Sequence, residues 1–234
     1  TLASLMLVDL IKPGHPVIFG PWPFVTDLRT GSFSGGSGEE AVMSAASAQI
    51  TNHYGLASSV GAGMTDSKSP DAQAGYEKGI AVVLAALAGC NNVSESSGMM
   101  ASLMGYSFES LVIDNEMLGM VMRTVRGIEV NEETLSYRAI KATVEGEGHF
   151  LRDPQTLSLM KTEYLYPTLA DRSTQEEWEN EGSPDMRQRA EKRAREILNS
   201  HYPVYIDHKI DKKVRDTFPI EISRDIIKPA KDRY

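Results

Sequence analysis

Cysteine is nearly absent from this chain of 234 residues, which contains a single one, Cys90. One cysteine cannot form an internal disulfide, and it offers no cysteine framework for a metal. We therefore expect a reducing, cytoplasmic location. A free cysteine is usually a small buried apolar residue, and we interpret Cys90 in this way.

Positive charge is also scarce. Lys and Arg together number 24 against 32 Asp and Glu, which gives a formal net charge of -8 and an isoelectric point near 5.2. A surface that binds nucleic acid normally shows a clustered excess of Lys and Arg. We therefore expect no nucleic-acid partner.

Long hydrophobic runs are missing as well. The longest uncharged apolar run, IAVVLAALAGC, covers only residues 80–90, whereas a membrane-spanning helix needs about 20 residues. This predicts no membrane association. The first residues, TLASLMLVDLIKPGHP, contain neither an initiating Met nor a basic leader. We interpret them as a helix ended by Pro13 and Gly14, and we expect the chain to begin inside a fold.

The sequence lacks the common motifs for nucleotides and catalytic nucleophiles. It contains no P-loop, no GxSxG elbow and no GxGxxG after the first predicted strand, so nucleotide-binding and hydrolase functions have no motif to support them. The five histidines show no HxxxH spacing, and we predict no metal site.

What the sequence does contain is a strand, a Gly- and Ser-rich loop and a helix, repeated three times. The predicted strands are 16–20, 56–63 and 91–96, and the helices that follow them are 39–54, 71–88 and 108–127. This alternation is typical of parallel βα units with right-handed crossovers. We expect a buried first strand. Because the strands are rich in Ser, Gly and Ala, we favour a (β/α)8 barrel over a dinucleotide-binding sheet.

The expected fold is therefore α/β, with residues 1–150 forming part of a barrel and residues 151–234 forming a helical extension packed on it. A further helix is predicted over 131–148, and the pattern at Asp153 is typical of an N-cap or turn. The loops after the predicted strands should meet at one face of such a barrel and look into one cavity.

Residues 173–202 are strongly charged. We predict two solvated helices here on the outside of the barrel, the first opened by a capping box from Ser173 to Glu176 and the second capped by Ser183. A charged run of this kind is either a solvated face or a docking surface for a partner protein, and the sequence leaves both open.

Three aromatic residues, Trp22, Phe24 and Phe33, share the loop after the first predicted strand. Aromatic faces bind quaternary ammonium groups through cation–π attraction. The same rings also suit the anchoring of a long loop over the barrel. Both interpretations remain open from the residues alone.

Charged candidates follow the later strands. Asp66 and Lys68 either bind a polar substrate or support the next helix, and for Asp71 helix capping is favoured. Glu95 lies at the end of a predicted buried strand, where an acid needs a partner or a shifted pKa, so it is a functional candidate. His149 is either a ligand or base, or a structural imidazole. The other four histidines are predicted to be structural.

Four long stretches occur in an order that resembles the trimethylamine methyltransferase family. They are TGSFSGGSGEEAVMSAASAQITNHYGL (30–56), TDSKSPDAQAGYEK (65–78), LVIDNEMLGMVMR (111–123) and GEGHFLRDPQTL (146–157). The resemblance covers almost the whole chain. It implies a (β/α)8 barrel that moves a methyl group from a methylated amine to the Co(I) of a separate corrinoid protein, in methanogenesis or one-carbon metabolism.

The resemblance also implies a choice of substrate. In the trimethylamine enzymes a pyrrolysine activates the amine, and its place should fall in or near residues 61–73, where this chain has only standard residues. Branches without pyrrolysine use quaternary amines such as glycine betaine, which need no such activation. We therefore expect a small quaternary amine, or else a tertiary one, as substrate.

On this interpretation the site residues follow from the needs of a cation. A quaternary ammonium has no N–H to donate, so aromatic faces and carboxylates hold it best. Asp66 and Glu95 are the catalytic candidates, and Trp22, Phe24, Phe33, Lys68 and His149 are the substrate-binding candidates. Catalysis would consist mostly of orienting the N–CH3 bond toward the cobalt and excluding water.

Family members are longer, and the N-terminal strands of the implied barrel are missing from this chain. We expect either a fragment of a longer protein or a chain that pairs with another copy or with the remainder of the barrel. An alternative function is a non-catalytic barrel piece that acts in binding. An aldolase-type barrel is disfavoured because Lys68 lies in a polar loop rather than in an apolar strand.

Overall fold

The computed structural model describes residues 2–146 and 148–223. The helices are α1 (Leu2–Ile11), α2 (Gly38–His53), α3 (Ala72–Leu87), α4 (Phe108–Arg126), α5 (Tyr137–Glu145), α6 (Pro154–Leu159), α7 (Gln175–Asn180), α8 (Met186–Ser200) and α9 (His208–Thr217). The strands are β1 (Ile18–Phe19), β2 (Val25–Thr26), β3 (Phe33–Ser34), β4 (Ala57–Gly61), β5 (Asn92–Ser94), β6 (Met99–Met100) and β7 (Gly105–Tyr106).

The centre of the fold is a parallel three-stranded sheet in the order β1-β4-β5. Ile18 is in register with Ala57, and Val60 is in register with Val93. Helix α2 connects β1 to β4, and α3 connects β4 to β5. The predicted α/β class and the three strand–loop–helix units are confirmed, with strands shorter than predicted.

One face of this sheet is covered by helices α2 and α3. The buried core between them consists of small apolar residues: Ala41, Ala48, Val60, Ala62, Ala81 and Ala85. Alanine on both helices lets their backbones approach each other and the sheet closely, so a larger residue here would overfill the core.

The opposite face of the sheet carries small and polar residues. Side chains alternate along a strand, so Ser59 and Gly61 lie on the face opposite Val60. Ile18, in register with Ala57, shares that face and is 72% exposed. The expectation of a buried first strand was therefore wrong for Ile18, because α2 and α3 cover the other side.

Two short antiparallel hairpins, which the sequence did not indicate, are inserted after the parallel strands. Strands β2 and β3 pair within the loop that follows β1, and β6 and β7 pair within the loop that follows β5. Each strand has only two residues. They give defined shapes to segments that were predicted as irregular loops.

Several helix starts agree with the sequence. Ser37 Oγ accepts the N–H of Glu40 at 3.2 Å, and Asp71 Oδ1 accepts the N–H of Ala74 at 3.1 Å. Asp153 caps the short helix α6. Each cap satisfies a backbone donor that the first turn of a helix leaves unpaired.

Two predicted caps were displaced by one or two residues. Helix α7 begins with a capping box between Thr174 and Glu177 rather than between Ser173 and Glu176. Helix α8 is capped by Asp185, whose carboxylate accepts the Gln188 N–H at 2.8 Å, rather than by Ser183. In both cases a second good capping residue with a Glu or Gln three positions later outcompetes the first.

The helix predicted over 131–148 is shorter, because α5 covers only Tyr137–Glu145. Residues 131–136 form turns in which the Asn131 side chain accepts the N–H groups of Glu133 and Thr134, both at 2.9 Å. Asparagine competes with a helix in this way by bonding nearby backbone donors.

Helix α8 packs against α4. Its buried residues Ala190 and Ala194 lie on an otherwise charged helix. On the same helix, Arg189 Nε donates to the carbonyl of Leu169 at 2.8 Å. The charged helix is therefore solvated on one side and packed on the other.

Cys90 packs against the edge of the alanine-rich core, but it is only partly buried. Its Sγ lies 3.2 Å from the carbonyl oxygen of Asn92. Helix α1, by contrast, buries none of its residues. Among residues 2–146 and 148–223, no helix combines the length and the apolar character that crossing a membrane requires.

Candidate functional site

The loops that follow β1, β4 and β5 are bonded together at the carboxyl ends of the parallel strands. We call residues 20–37, 62–71 and 95–107 the loop cluster. The middle loop supports the third one directly, since the Ala101 N–H donates to the Ser67 carbonyl and the Ser102 N–H to the Thr65 carbonyl, both at 2.8 Å. Carboxyl ends of parallel strands are where α/β folds place ligand sites.

Asp66 joins all three loops through its carboxylate. From the first loop it accepts the N–H groups of Gly35 at 2.9 Å and Gly36 at 3.3 Å, and the hydroxyl of Ser34. From the third loop it accepts the hydroxyl of Ser102. A carboxylate with four donors fixes the positions of both hairpins relative to the middle loop.

These donors also control the charge of Asp66. Partial burial acts to raise its pKa, but the hydrogen bonds from Ser102, Ser34 and the glycine amides outweigh burial, and the pKa lies below its usual value. Asp66 is therefore a carboxylate at neutral pH. Its negative charge remains available to the surroundings, while its oxygens are largely used within the protein.

Glu77 of α3 is hydrogen-bonded to the loop that contains Asp66. Its Oε2 accepts the Thr65 hydroxyl at 2.5 Å and the Asp66 N–H at 2.8 Å. Its Oε1 accepts the Gln73 side-chain amide at 2.9 Å. Two successive residues of the middle loop are thus held by one helix side chain.

Two glycines are required for the loops to approach so closely. A Cβ atom added at Gly36 would lie 2.3 Å from Glu77 Oε2 and 2.9 Å from the Asp66 nitrogen. Gly63 has a φ of +89°, and a Cβ there would lie 2.8 Å from the Ser96 Cα. Any larger residue at these positions would push the loops apart.

The turn of the second hairpin has an unusual backbone. Ala101, Ser102 and Leu103 are three successive non-glycine residues with φ of 49°, 52° and 73°. Each such residue costs of order 1–2 kcal/mol relative to the right-handed conformation. The bonds from the middle loop and Asp66 hold this turn in place.

The three aromatic candidates form one cluster at the first hairpin. The ring centroids of Trp22 and Phe24 are 6.4 Å apart and those of Phe24 and Phe33 are 5.1 Å apart, with interplanar angles of 78° and 80°. Trp22 also lies against the end of β4, since a Cβ added at Gly61 would be 3.4 Å from its Cε2. Trp22 and Phe24 are 40% and 59% exposed, so their surfaces remain accessible to a ligand.

The other candidates occupy different positions. Lys68 is exposed, and its Nζ donates to the carbonyl of Asp66 at 2.7 Å. Glu95 is half-buried directly after β5 and has a left-handed backbone with a φ of 58°. Asp71 is a helix cap, as favoured above. His149 is exposed in the turn between α5 and α6, beyond the loop cluster in sequence.

The sequence missed the partners that define this site. Ser34, Ser102 and Glu77 carry the bonds that organise the loops, yet each is an ordinary polar residue in its local context. Glu40 lies in the first turn of α2, where acidic residues are common and usually solvated, yet it is 1% exposed. Within the described part of the chain, no group of three or more His, Cys, Asp or Glu is arranged to hold a metal ion.

Comparison with known proteins identifies the family. The model of the trimethylamine methyltransferase (MTTB) family matches residues 1–220. The chain belongs to the trimethylamine methyltransferase family.

Relatives within the trimethylamine methyltransferase family carry two names. The chain is 38% identical over 214 residues to a glycine betaine methyltransferase of Desulfitobacterium hafniense (strain Y51), covering 92% of this chain and 44% of the relative. It is 37% identical over 214 residues to the trimethylamine methyltransferase MttB of Methanosarcina thermophila, with the same coverage. It is 33% identical over 233 residues to an MttB of Desulfitobacterium hafniense (strain DSM 10664 / DCB-2), covering 100% of the chain and 45% of the relative. The chain thus spans less than half the length of these relatives.

Proposed function

We propose that this chain is part of a methyltransferase that moves a methyl group from a quaternary amine resembling glycine betaine to the Co(I) of a corrinoid protein. Membership of the family supports methyl transfer from an amine. The observation that carries the choice of a cation is the aromatic cluster of Trp22, Phe24 and Phe33, held by the first hairpin beside the ionised Asp66.

The fold proposed for the whole protein is a (β/α)8 barrel, of which residues 1–150 supply three strands and residues 151–234 a helical extension. Three observations support it. The strand order β1-β4-β5 follows the chain, the strands are parallel, and helices α2 and α3 cover one face only. The other face, with Ser59 and Gly61, has the small residues that leave room inside a barrel.

Substrate binding follows from the charge distribution in the loop cluster. A quaternary ammonium lies best against aromatic faces, and each such contact contributes about 0.5–2 kcal/mol. Asp66 adds an attractive field from within the loops, since its own oxygens are already bonded to the hairpins. Glu95, half-buried at the end of β5, is proposed as a second carboxylate near the substrate, and Lys68 and His149 as residues of the surrounding rim.

The chemical step is an in-line displacement at the methyl carbon. Co(I) attacks the carbon as the nucleophile, a cobalt–carbon bond forms, and the carbon–nitrogen bond breaks. Its electron pair leaves with the nitrogen, which gives a neutral tertiary amine and methyl-Co(III). No proton is required by the leaving group, so the protein contributes orientation and exclusion of water.

A partner protein follows from this proposal, because the methyl acceptor is carried on a separate corrinoid protein.

Exposed apolar residues on helix α1 indicate another contact region, separate from the loop cluster. Leu10 and Ile11 of α1 are 82% and 76% exposed. We propose that the remainder of a longer chain, or a second copy of this one, covers them.

An absorbance assay tests the proposed activity. This chain and the full-length protein that contains it are each mixed with Co(I) cobalamin and a panel of quaternary and tertiary amines, and the visible spectrum is followed for methyl-Co(III). We expect the full-length protein to convert Co(I) with one quaternary amine but not with trimethylamine. Absence of conversion with every amine would contradict the proposal.

Two variants connect the assay to the aromatic cluster. Trp22→Ala in the full-length protein should raise the amine concentration needed for half-maximal rate by about tenfold, the loss expected for a good cation–π contact. Trp178→Phe is the matched control, since Trp178 donates to the carbonyl of Pro184 near α7 and belongs to no loop of the cluster. Equal effects of both variants would contradict a role for Trp22 in binding.

A second candidate function is a non-catalytic binding piece, and the exposed face of the sheet around Ile18 favours it for the chain on its own. The two candidates differ in the assay. A binding piece associates with the corrinoid protein in a pull-down yet gives no methyl-Co(III), even when it is fused to the remaining part of the full-length protein. If the full-length protein converts Co(I) and this chain alone does not, the inactivity of the chain is due to the strands that it lacks.

A further inference from the structure

Glu40 is a buried acid that the proposed function does not use. It lies in the first turn of α2, it is 1% exposed, and its Oε2 has no hydrogen-bond partner among the described residues. Its Oε1 lies 2.7 Å from Ser44 Oγ. A carboxylate in this position would have one oxygen without solvent or donor, which is costly in a protein interior.

The hydrogen atoms available at Ser44 decide which form of Glu40 fits. Ser44 Oγ lies within hydrogen-bond distance of two acceptors, Glu40 Oε1 at 2.7 Å and the carbonyl of Gly61 at 3.2 Å. A hydroxyl has one proton and donates one bond. If Glu40 is ionised, one of the two acceptors receives no proton from Ser44.

A neutral Glu40 supplies the proton that both contacts of Ser44 require. Its carboxyl proton on Oε1 is donated to Ser44 Oγ, and the Ser44 hydroxyl is then free to donate to the Gly61 carbonyl. The unpartnered Oε2 becomes a carbonyl oxygen rather than half of a carboxylate, which lowers its desolvation cost. The geometry therefore fits the acid and not its anion.

Of the charged groups on neighbouring elements, Asp66 is the one that acts on Glu40. From the loop after β4 these are Asp66, which is ionised, and Lys68, whose Nζ bonds the Asp66 carbonyl. On α3, Glu77 bonds the loop, and Lys78 is paired with Asp114. Nearby negative charge from Asp66 disfavours a second carboxylate at Glu40.

The charged groups in the first loop of the cluster do not change the conclusion that Glu40 is neutral. Asp27 and Arg29 form an ion pair with each other at the tip of the first hairpin. Burial raises the pKa of Glu40 to about 7, the charge of Asp66 adds to the rise, and the bond from Ser44 opposes it. Two carboxyls that interact through their charges, with pKa values moved in opposite directions, are typical of sites where one acid holds a proton.

We propose that Glu40 is a positioning residue that holds its proton in the folded protein and, through Ser44, fixes the end of β4 against which Trp22 packs. Gly61 links the two, because its carbonyl faces Ser44 and its Cα faces the Trp22 ring. Ionisation of Glu40 draws the Ser44 proton to the carboxylate and releases the Gly61 carbonyl. The inference rests on these contacts and is independent of the methyl-transfer proposal.

Trp22 itself reports on this contact. The chain has two tryptophans, so Trp178→Phe leaves Trp22 as the single source of tryptophan fluorescence. In that background we expect the Trp22 emission to change with a midpoint near pH 7 when the pH is raised. Adding Glu40→Gln should abolish the change, because the amide donates to Ser44 Oγ at every pH and keeps the contacts of the neutral acid.

The matched control is Glu39→Gln, which removes an exposed acid from the same turn and should leave the transition in place. The absence of a transition in the parent, or its persistence after Glu40→Gln, would overturn the proposal. Two further variants decide the matter if Glu40→Gln fails to fold. Asp66→Asn should lower the midpoint by about one pH unit, because it removes a negative charge that disfavours ionisation of Glu40. Ser44→Ala should abolish the change in Trp22 emission, because it removes the hydroxyl that connects Glu40 to Gly61. An unshifted midpoint in Asp66→Asn, or a transition that persists in Ser44→Ala, would equally overturn the proposal.

Discussion

At the scale of single residues, the contacts expected to matter most for stability are those between buried charged groups. Lys78 and Asp114 form an ion pair at 2.5 Å, with side chains 1% and 4% exposed. Asp114 also accepts the Gly98 N–H at 2.8 Å and the Ser110 hydroxyl at 3.0 Å. One carboxylate therefore ties α3, α4 and the loop after β5 together.

The first prediction concerns this pair. Asp114→Ala leaves the Lys78 ammonium buried without its counter-charge, and we expect the free energy of unfolding to fall by about 3–5 kcal/mol. Urea denaturation followed by circular dichroism measures it. The double variant Lys78→Met/Asp114→Asn leaves no unpaired charge in the interior. It should therefore recover much of the lost stability.

The matched control is an exposed pair on α8. Arg195 and Glu191 lie 3.0 Å apart with side chains 56% and 49% exposed. Glu191→Ala should change the stability by about 0.5 kcal/mol or less. If Asp114→Ala costs no more than this control, the buried pair does not hold the three elements together.

These buried residues were hard to predict from the sequence, for a physical reason. Burial of Glu40 and pairing of Lys78 with Asp114 are set by contacts across the tertiary fold, while charged residues on helices are usually solvated. Capping was more predictable, since it depends on the few residues on either side of a helix start. Even so, STQEEW contains two overlapping capping boxes, and local chemistry alone did not separate Ser173 from Thr174.

At the scale of elements, the two hairpins depend on the same carboxylate but by separate bonds. Ser34 and two glycine amides bind Asp66 from the first hairpin, whereas Ser102 binds it from the second. Each hairpin can therefore be loosened without removing the bonds of the other.

The second prediction follows from this arrangement. Ser102→Ala should speed amide hydrogen exchange of Ala101 and Ser102 by about tenfold, since a hydrogen bond to a charged group contributes about 1.5 kcal/mol or more. Ser34→Ala should instead speed exchange at Gly35 and Gly36. Exchange that accelerates equally in both hairpins in either variant would show that the loop cluster opens as one unit.

A third prediction concerns the connection between α4 and the segment that precedes α7. The Glu116 carboxylate accepts three successive backbone N–H groups, from Thr168 at 2.7 Å, Leu169 at 2.6 Å and Ala170 at 2.5 Å. Partial burial acts to raise the pKa of Glu116, but these bonds outweigh it and the pKa lies below its usual value. Glu116→Gln removes the charge and one acceptor oxygen, so we expect a loss of about 1–3 kcal/mol.

Urea denaturation measures this loss, with Glu176→Gln on the exposed surface of α7 as control. The sign of the pH dependence gives a second check. Because the folded-state pKa is lowered, the contribution of Glu116 is present above the ordinary value of 4.5 and is lost as the pH falls through the folded-state value. A loss in Glu116→Gln that persists undiminished at low pH would contradict this assignment.

The elements themselves were partly predictable. Long periodic segments such as α2, α3 and α4 were found from their apolar spacing, and the parallel strands from their place between them. The hairpins were missed because two-residue strands have no periodicity. The left-handed turn at residues 101–103 carries no glycine, so nothing local marks a conformation that Thr65, Ser67 and Asp66 impose from another loop.

At the scale of the whole molecule, the α/β class followed from the order of elements, and the resemblance to the trimethylamine methyltransferase family was carried by long stretches rather than by motifs. The sequence did not indicate that one face of the sheet and the residues of helix α1 are exposed. Ile18 and Leu10 are apolar residues of the kind usually found in a core. Whether they are exposed depends on what covers them in the tertiary structure, which the local sequence does not show.

The last prediction is the dependence of stability on pH. Several carboxylates, among them Asp66 and Glu116, have pKa values below their ordinary values of 3.8 and 4.5. Their stabilisation is lost as the pH falls through the folded-state values. Glu40 acts in the opposite sense, because its pKa is raised from 4.5 to about 7. The stability associated with it is complete below 4.5 and is lost as the pH rises toward 7.

The free energy of unfolding should therefore be highest near pH 4.5, fall below that value, and fall also between pH 4.5 and 7. Urea denaturation over this range measures the profile. Glu40→Gln should remove the decline above pH 4.5 and leave the acid side unchanged, whereas Glu39→Gln should leave both sides in place. If the stability of Glu40→Gln still declines above pH 4.5, another group causes the decline. That result would contradict the proposal that Glu40 is neutral in the folded protein.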